Sequence, residues 1–335
     1  MNILLSSYAF FPYIGGIESA SELLASEFVR LGHEVCILTQ TPGADREGWD
    51  FEVLRKPSAR ELLRAVLWCD IFFHNNISLQ SLWPLLFARR PWIVTHQTWI
   101  TRLDRSLDWR DHLKRFLLRG ATNVSISRAM AESLPVASEL IPNPYRDEIF
   151  YPMPDVSRDK DLVFLGRLVS DKGVDLLIEA VKLLREGGLT VGLTVVGSGP
   201  QEDSLKALAQ TLGVTPQIDF TGPKGGVELA QILNAHHILA VPSRWAEPFG
   251  IVALEGIACG CAVVGSQAGG LPDAIGPCGV TFPNGNAPAL ASALCETLSR
   301  EGRLAELRAG APEHLAKHRA RAVAYAYLEI FQRSL

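Results

Sequence analysis

Short apolar segments that alternate with amphipathic helices constrain this chain more than any other feature. An apolar run at 3–6 precedes a predicted helix at 18–31, in which apolar residues recur at helical spacing, and a second apolar run follows at 34–39. Two further apolar runs, at 70–76 and 92–98, end in polar residues. This alternation predicts a doubly wound parallel sheet of the Rossmann type.

The same pattern begins again near the middle of the chain. A strand is predicted at 161–166, a helix at 174–185, and a strand that runs into a glycine turn at 190–200. Further apolar strands follow at 217–222, 237–243 and 262–266. We therefore expect an α/β protein with two Rossmann-like halves.

The length of 335 residues also suits two domains. The segment 142–154 contains four prolines and is typical of a linker. The predicted domains are an N-terminal domain at 1–150 and a C-terminal domain at 151–319. A helix at 320–335 is expected to complete the first domain.

Composition limits the class of function. A net charge of −4 argues against a protein held to nucleic acid by bulk positive charge. No apolar run reaches the roughly 18–20 residues that span a bilayer, and the first 18 residues fit a strand and turn better than a signal peptide. None of the six cysteines forms a Cys-x-x-Cys pair, which favours free thiols in a cytoplasmic protein.

The loop after the strand at 161–166 carries two cations. Arg167 and Lys172 lie between Gly166 and Gly173, just before the predicted helix. Helix N-terminal N–H groups and two cations suit a diphosphate. The alternative is a pair of solvated surface charges.

Gly15 and Gly16 open the first helix of the other half. Without a Cβ atom, the backbone there can approach a ligand closely, although a simple tight turn is the alternative. Neither half carries Gly-x-Gly-x-x-Gly after its first strand, which disfavours a nicotinamide-dependent dehydrogenase.

Two carboxylates, Glu247 and Glu255, lie in the stretch 243-SRWAEPFGIVALEGIACG-260. The N–H groups of residues 249–251 open the helix between them. The spacing suits a polyol at one end of an extended ligand and a ribose diol at the other. An acid–base pair for hydrolysis is the alternative, whereas a purely structural Glu255 is disfavoured by its apolar neighbours.

Histidines provide further candidates. His96 ends an apolar strand at the expected ligand edge, and His74 with Asn75 ends the preceding strand. A structural role is the alternative for all three. His314 and His318 have helical metal-ligand spacing but lack a third ligand, so we expect a solvated helix face.

The stretch 102–119 combines basic residues with leucines that can share one helix face. Peripheral membrane binding is one interpretation. A packed helix with a solvated basic side is the favoured one, because Asp104, Asp108 and Asp111 dilute the charge.

Taken together, these segments resemble the retaining GT-B glycosyltransferases of the GT4 type over essentially the whole chain. The segments that carry the resemblance are 15-GGIE-18, 92-WIVTH-96, 141-IPN-143, 165-LGRLVSDKG-173, 196-VGSGP-200, 241-VPSRWAEPFGIVALEGIACG-260 and 269-GGLPD-273. The resemblance implies two Rossmann-like domains facing a central cleft. It also implies a nucleotide-sugar donor, UDP- or GDP-linked, held mainly by the second domain.

The resemblance also implies roles for single residues. Arg167 and Lys172 match the diphosphate pair, Glu255 the acid at the ribose, and Glu247 the acid at the donor sugar. His96 matches a residue beside the reacting centre. The implied donor-binding set is Gly15, Gly16, Gly166, Arg167, Lys172, Gly197, Gly222, Lys224, Glu247, Phe249, Gly250, Ile251, Val252 and Glu255.

Family enzymes of this type work without a metal or other cofactor, because cations and a helix dipole stabilise the departing diphosphate. The resemblance thus implies no metal site. The implied acceptor is a saccharide or lipid-linked saccharide of cell-surface glycan synthesis. Its candidate contacts are His74, Asn75, His96 and Asn143.

Two other classes stay open from the sequence. One is a nucleotide-sugar 2-epimerase of the same architecture, which needs further acid–base residues in the first half, where Glu18 and Asp104 are poorly placed. The other is a non-catalytic nucleotide-sugar binding protein.

Overall fold

The computed structural model describes residues 1–13, 15–43, 45–46, 48–101 and 107–335. Within that part of the chain the fold divides into two compact units. The first unit comprises residues 1–144 and 318–335, and the second unit comprises residues 145–317. The assignment of an acceptor domain and a donor domain to these halves stays a prediction.

The elements are numbered along the chain. The strands are β1 Asn2–Ser7, β2 Glu34–Thr39, β3 Glu52–Arg55, β4 Ile71–Asn75, β5 Trp92–His96, β6 Thr122–Ser125, β7 Glu139–Leu140, β8 Lys160–Leu165, β9 Leu193–Val196, β10 Ile218–Gly222, β11 His236–Val241, β12 Ala262–Ser266 and β13 Gly279–Phe282. The helices are α1 Gly16–Arg30, α2 Ala59–Trp68, α3 Leu79–Leu82, α4 Trp109–Leu117, α5 Arg128–Ser133, α6 Val174–Glu186, α7 Glu202–Thr211, α8 Gly226–Ala235, α9 Ile251–Ala258, α10 Leu271–Ile275, α11 Ala287–Ser299, α12 Arg303–Ala309, α13 Ala311–Ala316 and α14 Ala320–Ser334.

The first unit contains a seven-stranded sheet in the order β3-β2-β1-β4-β5-β6-β7, and every described pair in it is parallel. Its central strands are buried along their whole length, as in β4, where Ile71, Phe72 and Phe73 are fully buried. Parallel strands covered by helices on both faces give such continuous apolar runs. This is why the runs were readable in the sequence.

The last helix of the chain, α14, packs into the core of the first unit. Its Phe331 ring lies 5.5 Å from the ring of Phe28 and 5.3 Å from that of Phe73. The hydroxyl of Tyr327 is 2.8 Å from Oγ1 of Thr95 on β5. The buried face of α14 therefore belongs to the same hydrophobic core as β1, β4 and β5.

The second unit contains a six-stranded parallel sheet in the order β10-β9-β8-β11-β12-β13. Helices α6 and α11 pack together against it, and their buried leucines and valines form one core with β8 and β9. The two doubly wound parallel sheets confirm the predicted fold class.

The sequence analysis did not predict four of the strands: β3, β6, β7 and β13. Both residues of β7, Glu139 and Leu140, are exposed, and β3 has no fully buried residue. Edge or short strands of this kind lack the apolar run that marks a central strand.

Candidate functional site

The loop between β8 and α6 is held by backbone hydrogen bonds to the neighbouring glycine turn. The amide of Gly166 donates to Val196, and that of Leu168 donates to Ser198. A Cβ atom at Gly197 would lie 1.8 Å from the carbonyl oxygen of Gly166, so the two turns interlock through backbone alone. The structure thus brings the predicted residues Gly166 and Gly197 together.

Glycine is also required where this loop meets β11. Gly173 has φ +69°, and a Cβ atom there would lie 2.1 Å from the carbonyl oxygen of Pro242. This close approach places Lys172 beside the segment that follows β11. Arg167, at the other end of the loop, is exposed.

Lys172 and Glu247 meet directly. The ammonium nitrogen of Lys172 is 2.5 Å from Oε1 of Glu247, and the hydroxyl of Ser243 donates to the same oxygen at 2.7 Å. The two ionic side chains are 25% and 13% exposed. The site therefore offers a cation, a carboxylate and a hydroxyl within one hydrogen-bonded group, on a surface that a ligand can reach.

An ion pair and backbone bonds fix this group in place. Arg244 pairs with Asp175 at 2.6 Å, and its backbone amide donates to the carbonyl oxygen of Asp171. The side chain of Asn284 donates to the carbonyl of Ser243 and accepts from the amide of Ala268. Sequence reasoning identified neither Ser243 nor Asn284.

Glu247 itself is held at its backbone. It forms a parallel bridge with Gly269, and its carbonyl accepts from the amide of Gly270 at 2.7 Å. Gly269 has φ +79°, and a Cβ atom there would lie 2.2 Å from the carbonyl oxygen of Glu247. The 269-GGLPD-273 segment is thus a backbone support for Glu247.

Helix α9 begins four residues after Glu247, with an N-terminus that no side chain caps. Gly250 precedes it with φ +107° and makes no side-chain cap hydrogen bond, and the first turn contains no acidic residue. Phe249 is buried, while Ile251 and Val252 are partly exposed. The positive end of this helix is suited to an anionic group of a ligand.

Glu255 lies one turn further along α9 and is half-buried. Burial raises its pKa to about 7, and the charge of Arg146 partly opposes that rise. A carboxyl group with this pKa changes its charge near neutral pH. Above that pH the ionised form only accepts hydrogen bonds, and below it the protonated form can also donate one.

The remaining predicted residues of the second unit lie on the turn after β10. The carbonyl of Gly222, which has φ +74°, accepts from the amide of Gly197. The ammonium nitrogen of Lys224 is 2.6 Å from the carboxylate of Glu228, in the first turn of α8. Lys224 is therefore engaged in a local ion pair.

Gly15 and Gly16 lie at the start of α1. Gly15 is extended, and a Cβ atom there would lie 2.5 Å from Oε2 of Glu18. The carboxylate of Glu18 thus covers this backbone at the positive end of the helix. A phosphate at the same position would meet a negative charge.

The candidates His74 and Asn75 are buried in hydrogen-bonded networks of the first unit. The ring nitrogens of His74 contact Ser81 at 3.3 Å and the indole N–H of Trp92 at 3.2 Å, and burial lowers its pKa to about 3. The amide of Asn75 donates to Ser21. These contacts favour a structural role for both side chains.

Asn143 is also buried, and both polar atoms of its carboxamide have a hydrogen-bond partner. Its carboxamide exchanges two hydrogen bonds of 2.7 Å with that of Gln97, in both directions. Gln97 in turn donates its backbone amide to Asn76, which has φ +70°. This arrangement ties residue 143 to the end of β5, and the sequence gave no signal for Gln97 or Asn76.

His96, at the end of β5, is 1% exposed. Its Nε2 atom is 3.0 Å from Oδ1 of Asn123. Burial lowers the pKa of His96 to about 4, although the hydrogen bond with Asn123 opposes that shift. At neutral pH the ring is therefore uncharged.

The expectation of a solvated face at His314 and His318 is wrong. Both are buried, and each hydrogen-bonds a backbone carbonyl, of Ala274 and Asn143 respectively. Each histidine packs against its own unit, so the helical spacing was a packing signal.

One Asp-x-Asp pair, Asp159 and Asp161, lies at the start of β8, at the opposite end of the strand from Gly166. Asp161 accepts from the amide of Gly192. Among the described residues, no group of three or more His, Cys, Asp and Glu is placed to hold a metal ion. Metal independence stays a prediction.

The stretch 102–119 is described only in part, since residues 102–106 lie outside the described residues. Helix α4 begins at Trp109, after an Asp108 capping box, and none of its residues is buried. Trp109 is 68% and Phe116 is 61% exposed. The favoured expectation of a packed helix holds only at the C-terminal end of α4, where Leu117 packs against the cluster around Leu118, whereas the aromatic side chains of α4 are exposed. No described helix is long and apolar enough to cross a bilayer.

Comparison with known proteins defines the class. The model of the family described as glycosyl transferases group 1 matches residues 146–314, half of the chain. The chain therefore belongs to the group 1 glycosyltransferase family, which confirms the resemblance at the level of this family, while the GT4 type and the retaining mechanism stay predictions. Family membership supports a transferase activity.

Curated relatives match over about half of this chain. The D-inositol 3-phosphate glycosyltransferase of Rhodococcus erythropolis is 37% identical over 163 residues, which are 46% of this chain and 36% of the relative. That of Saccharomonospora viridis is 36% identical over 185 residues, 52% of this chain and 43% of the relative. The chain thus matches less than half the length of these relatives.

Solved structures match over the whole chain. HepE from Anabaena in complex with UDP has a TM-score of 0.85 at 18% identity, covering 99% of this chain and 100% of that one. Sucrose-phosphate synthase from Thermosynechococcus elongatus has a TM-score of 0.81 at 20% identity, covering 99% and 98%. These likenesses show that the fold is GT-B.

Proposed function

We propose that this protein is a retaining glycosyltransferase that moves a sugar from a nucleoside diphosphate to a hydroxyl acceptor. The observation that supports this most is the Lys172–Glu247–Ser243 group next to the uncapped N-terminus of α9. A cation and a helix N-terminus suit a diphosphate, and a carboxylate suits the hydroxyl groups of a sugar. The group thus matches both parts of a sugar nucleotide.

In this proposal Lys172 and Arg167 bind the diphosphate. Negative charge grows on the leaving phosphate in the transition state, so cations placed there stabilise it more than the ground state. In the free protein Lys172 is paired with Glu247. Donor binding is expected to exchange this pair for two separate contacts, Lys172 to phosphate and Glu247 to sugar hydroxyls.

The remaining donor contacts are proposed from the family resemblance. Glu255 accepts hydrogen bonds from the ribose, and the amides at Phe249–Ile251, with Val252, contact the sugar. Gly166, Gly197, Gly222 and Lys224 border the base. Gly15, Gly16 and His96 are the donor contacts proposed in the first unit, and Asn143, His74 and Asn75 act there through the backbone that they position.

The reaction forms one bond and breaks one bond. The acceptor oxygen attacks the anomeric carbon from the face that the phosphate leaves, so the configuration is retained. The bond to the phosphate oxygen breaks, and the acceptor proton passes to the departing phosphate. No separate general base and no metal is required, because the charges of Lys172 and Arg167 compensate the leaving diphosphate.

UDP is the first nucleotide to test. The solved HepE structures contain UDP and UDP-glucose, and GDP is the alternative. The proposed acceptor is a saccharide or lipid-linked saccharide of cell-surface glycan synthesis. The matched relatives carry a name that specifies a phosphorylated polyol, D-inositol 3-phosphate, which also presents hydroxyl groups.

The test is incubation with radiolabelled UDP- and GDP-sugars, with and without saccharide and lipid-linked acceptors. The proposal predicts label in the acceptor and retained configuration by NMR of the product. An isomerised donor would instead indicate a 2-epimerase, and saturable binding without turnover would indicate a binding protein. EDTA should leave transfer unchanged.

We also propose that α4 contacts an anionic membrane surface at the cytoplasmic face. Its Trp109, Leu113 and Phe116 side chains are exposed, and the helix carries three basic residues, Arg110, Lys114 and Arg115, against one acid, Asp111. Exposed aromatic rings beside cations suit the headgroup region of anionic lipid.

Co-sedimentation with vesicles tests this contact. Phosphatidylglycerol vesicles should bind the protein and phosphatidylcholine vesicles should not. The double variant W109A/F116A should lose binding, while Tyr325→Ala, which removes an exposed aromatic side chain from α14, should keep it. Equal binding of W109A/F116A and wild type would contradict the contact.

A further inference from the structure

A buried pair of side chains lies at the carboxyl end of β5 in the first unit. His96 ends this strand, and Asn123 lies on the adjacent β6, where its register partner is Val94. Val94 and His96 are two residues apart, so they share one face of the sheet with Asn123. The two side chains are 1% and 6% exposed, and Nε2 of His96 is 3.0 Å from Oδ1 of Asn123.

The carboxamide of Asn123 can point in only one direction. Its Nδ2 atom donates to the carbonyl oxygens of Leu118, at 2.9 Å, and Ala121, at 3.0 Å. Carbonyl oxygens only accept, so the NH₂ group must face them. The oxygen of Asn123 is thereby turned towards His96.

This orientation fixes the proton of His96. Because Oδ1 of Asn123 can only accept, Nε2 of His96 must carry the hydrogen. Burial keeps the ring uncharged at neutral pH, since the pKa of His96 is about 4. A neutral imidazole has one N–H group, so Nδ1 carries a lone pair.

We propose that Asn123 is a positioning residue that holds His96 as the neutral Nε2–H tautomer, so that Nδ1 accepts a hydrogen bond from a hydroxyl of the transferred sugar. This rests on the proposed function, which places His96 against the sugar. A lone pair at Nδ1 selects a hydroxyl that donates its proton. A protonated ring or the other tautomer would present a hydrogen there and reverse the polarity of the contact.

NMR of the full-length protein with ¹⁵N-labelled histidine tests the tautomer directly. The His96 signals are assigned by their loss in His96→Gln. The proposal predicts a proton on Nε2 and an unprotonated Nδ1 in the wild type at pH 7. In Asn123→Ala the Nε2–H population should fall and the Nδ1–H population should rise.

Ser125→Ala is the matched control. Ser125 lies on β6, as Asn123 does, and is the register partner of His96 on β5. Its hydroxyl contacts that of Ser138, 2.7 Å away. In Ser125→Ala the His96 signals should equal those of the wild type. A proton on Nδ1 in the wild type would overturn the proposal, even if Asn123→Ala does not fold. Unchanged His96 signals in a folded Asn123→Ala would overturn it as well.

Affinity for UDP-glucose, measured by calorimetry, separates a positioning role from a structural one. Asn123→Ala should weaken binding about tenfold, as one lost hydrogen bond would. In the His96→Gln background the same change should have no further effect. Equal losses in both backgrounds would contradict action through His96. If the wild type shows the Nε2–H tautomer but does not bind UDP-glucose, the proposed donor fails and the tautomer assignment stands.

Discussion

The N-termini of α1 and α9 were both predicted to contact the nucleotide-sugar donor, yet the chain builds them differently. At α1, the carboxylate of Glu18 lies against Gly15 and supplies negative charge to the helix end. At α9, no acid lies in the first turn and no side chain caps Gly250. In the free protein only the second helix end is without such a charge, so the proposed donor contact at Gly15 and Gly16 requires the carboxylate of Glu18 to move away. The difference shows that glycine at a helix start is not sufficient evidence for a phosphate site.

The same contrast holds for the polar candidates of the two units. In the first unit His74, Asn75 and Asn143 are buried and hydrogen-bonded to other side chains. In the second unit Lys172 and Glu247 are charged and partly exposed. The first set positions backbone, whereas the second set is free to exchange its partners for a ligand.

Lys172→Ala should give the largest effect on donor binding. It removes a cation from the diphosphate and leaves Glu247 without its ion pair. The binding free energy of the donor should therefore become about 2–4 kcal/mol less favourable. Calorimetry with UDP and UDP-glucose measures the change. Lys206→Ala, which breaks an exposed ion pair on α7, is the control and should bind normally. Normal donor affinity in Lys172→Ala would contradict the contrast between the units.

Glu247→Gln should lower turnover rather than binding. The amide keeps the shape but loses the negative charge that accepts from sugar hydroxyls, so kcat should fall about 10- to 100-fold, or roughly 1.4–2.7 kcal/mol. Thermal stability should change little, because the side chain is partly exposed. A variant that lost nucleotide affinity and kept kcat would show that Glu247 has been given the wrong role.

His74→Ala should affect folding instead of donor binding. It removes hydrogen bonds to Ser81 and Trp92 in a fully buried position, which should cost about 1–3 kcal/mol of unfolding free energy. Urea titration measures the loss, and UDP affinity at low temperature should stay within twofold of the wild type. A large loss of UDP affinity in the folded variant would mean that the first unit's polar network takes part in binding.

The smallest effect expected is a pH dependence through Glu255. Its pKa is raised to about 7 by burial, so the carboxylate that accepts from ribose forms as the pH rises. Between pH 6 and pH 8 UDP affinity should increase about tenfold, and Glu255→Gln should remove this dependence.

The free energy of unfolding should change in the opposite direction with pH. A folded pKa above the unfolded one gives stability that is present below about pH 4.5 and is lost as the pH rises through 7. Affinity that stays flat with pH would exclude a titrating Glu255 at the ribose.

Much of the fold could be predicted because buried parallel strands and amphipathic helices leave strong patterns. The strands at 71–75 and 236–241 contain the apolar runs 71-IFF-73 and 238-ILAV-241, and α6 repeats its leucines at helical spacing. Strand β7 could not be found, since two exposed residues carry no pattern.

The site could be predicted residue by residue but not as an arrangement. Lys172 and Glu247 were chosen separately, and their contact depends on the packing of Gly173 against Pro242, 69 residues away in sequence. The partners of His74 and Asn143 are likewise distant in sequence, so the sequence did not show that these side chains are buried and hydrogen-bonded within the first unit. The solvated face predicted from the helical spacing of His314 and His318 was wrong because their carbonyl partners, at Ala274 and Asn143, are also distant in sequence.

A crystal structure of the protein with UDP-glucose tests the central claim most directly. The account predicts the diphosphate within hydrogen-bond distance of Lys172 and the glucose hydroxyls at Glu247 and at the amides that open α9, with the Lys172–Glu247 contact broken. A nucleotide bound elsewhere, with Lys172 still paired to Glu247, would contradict it.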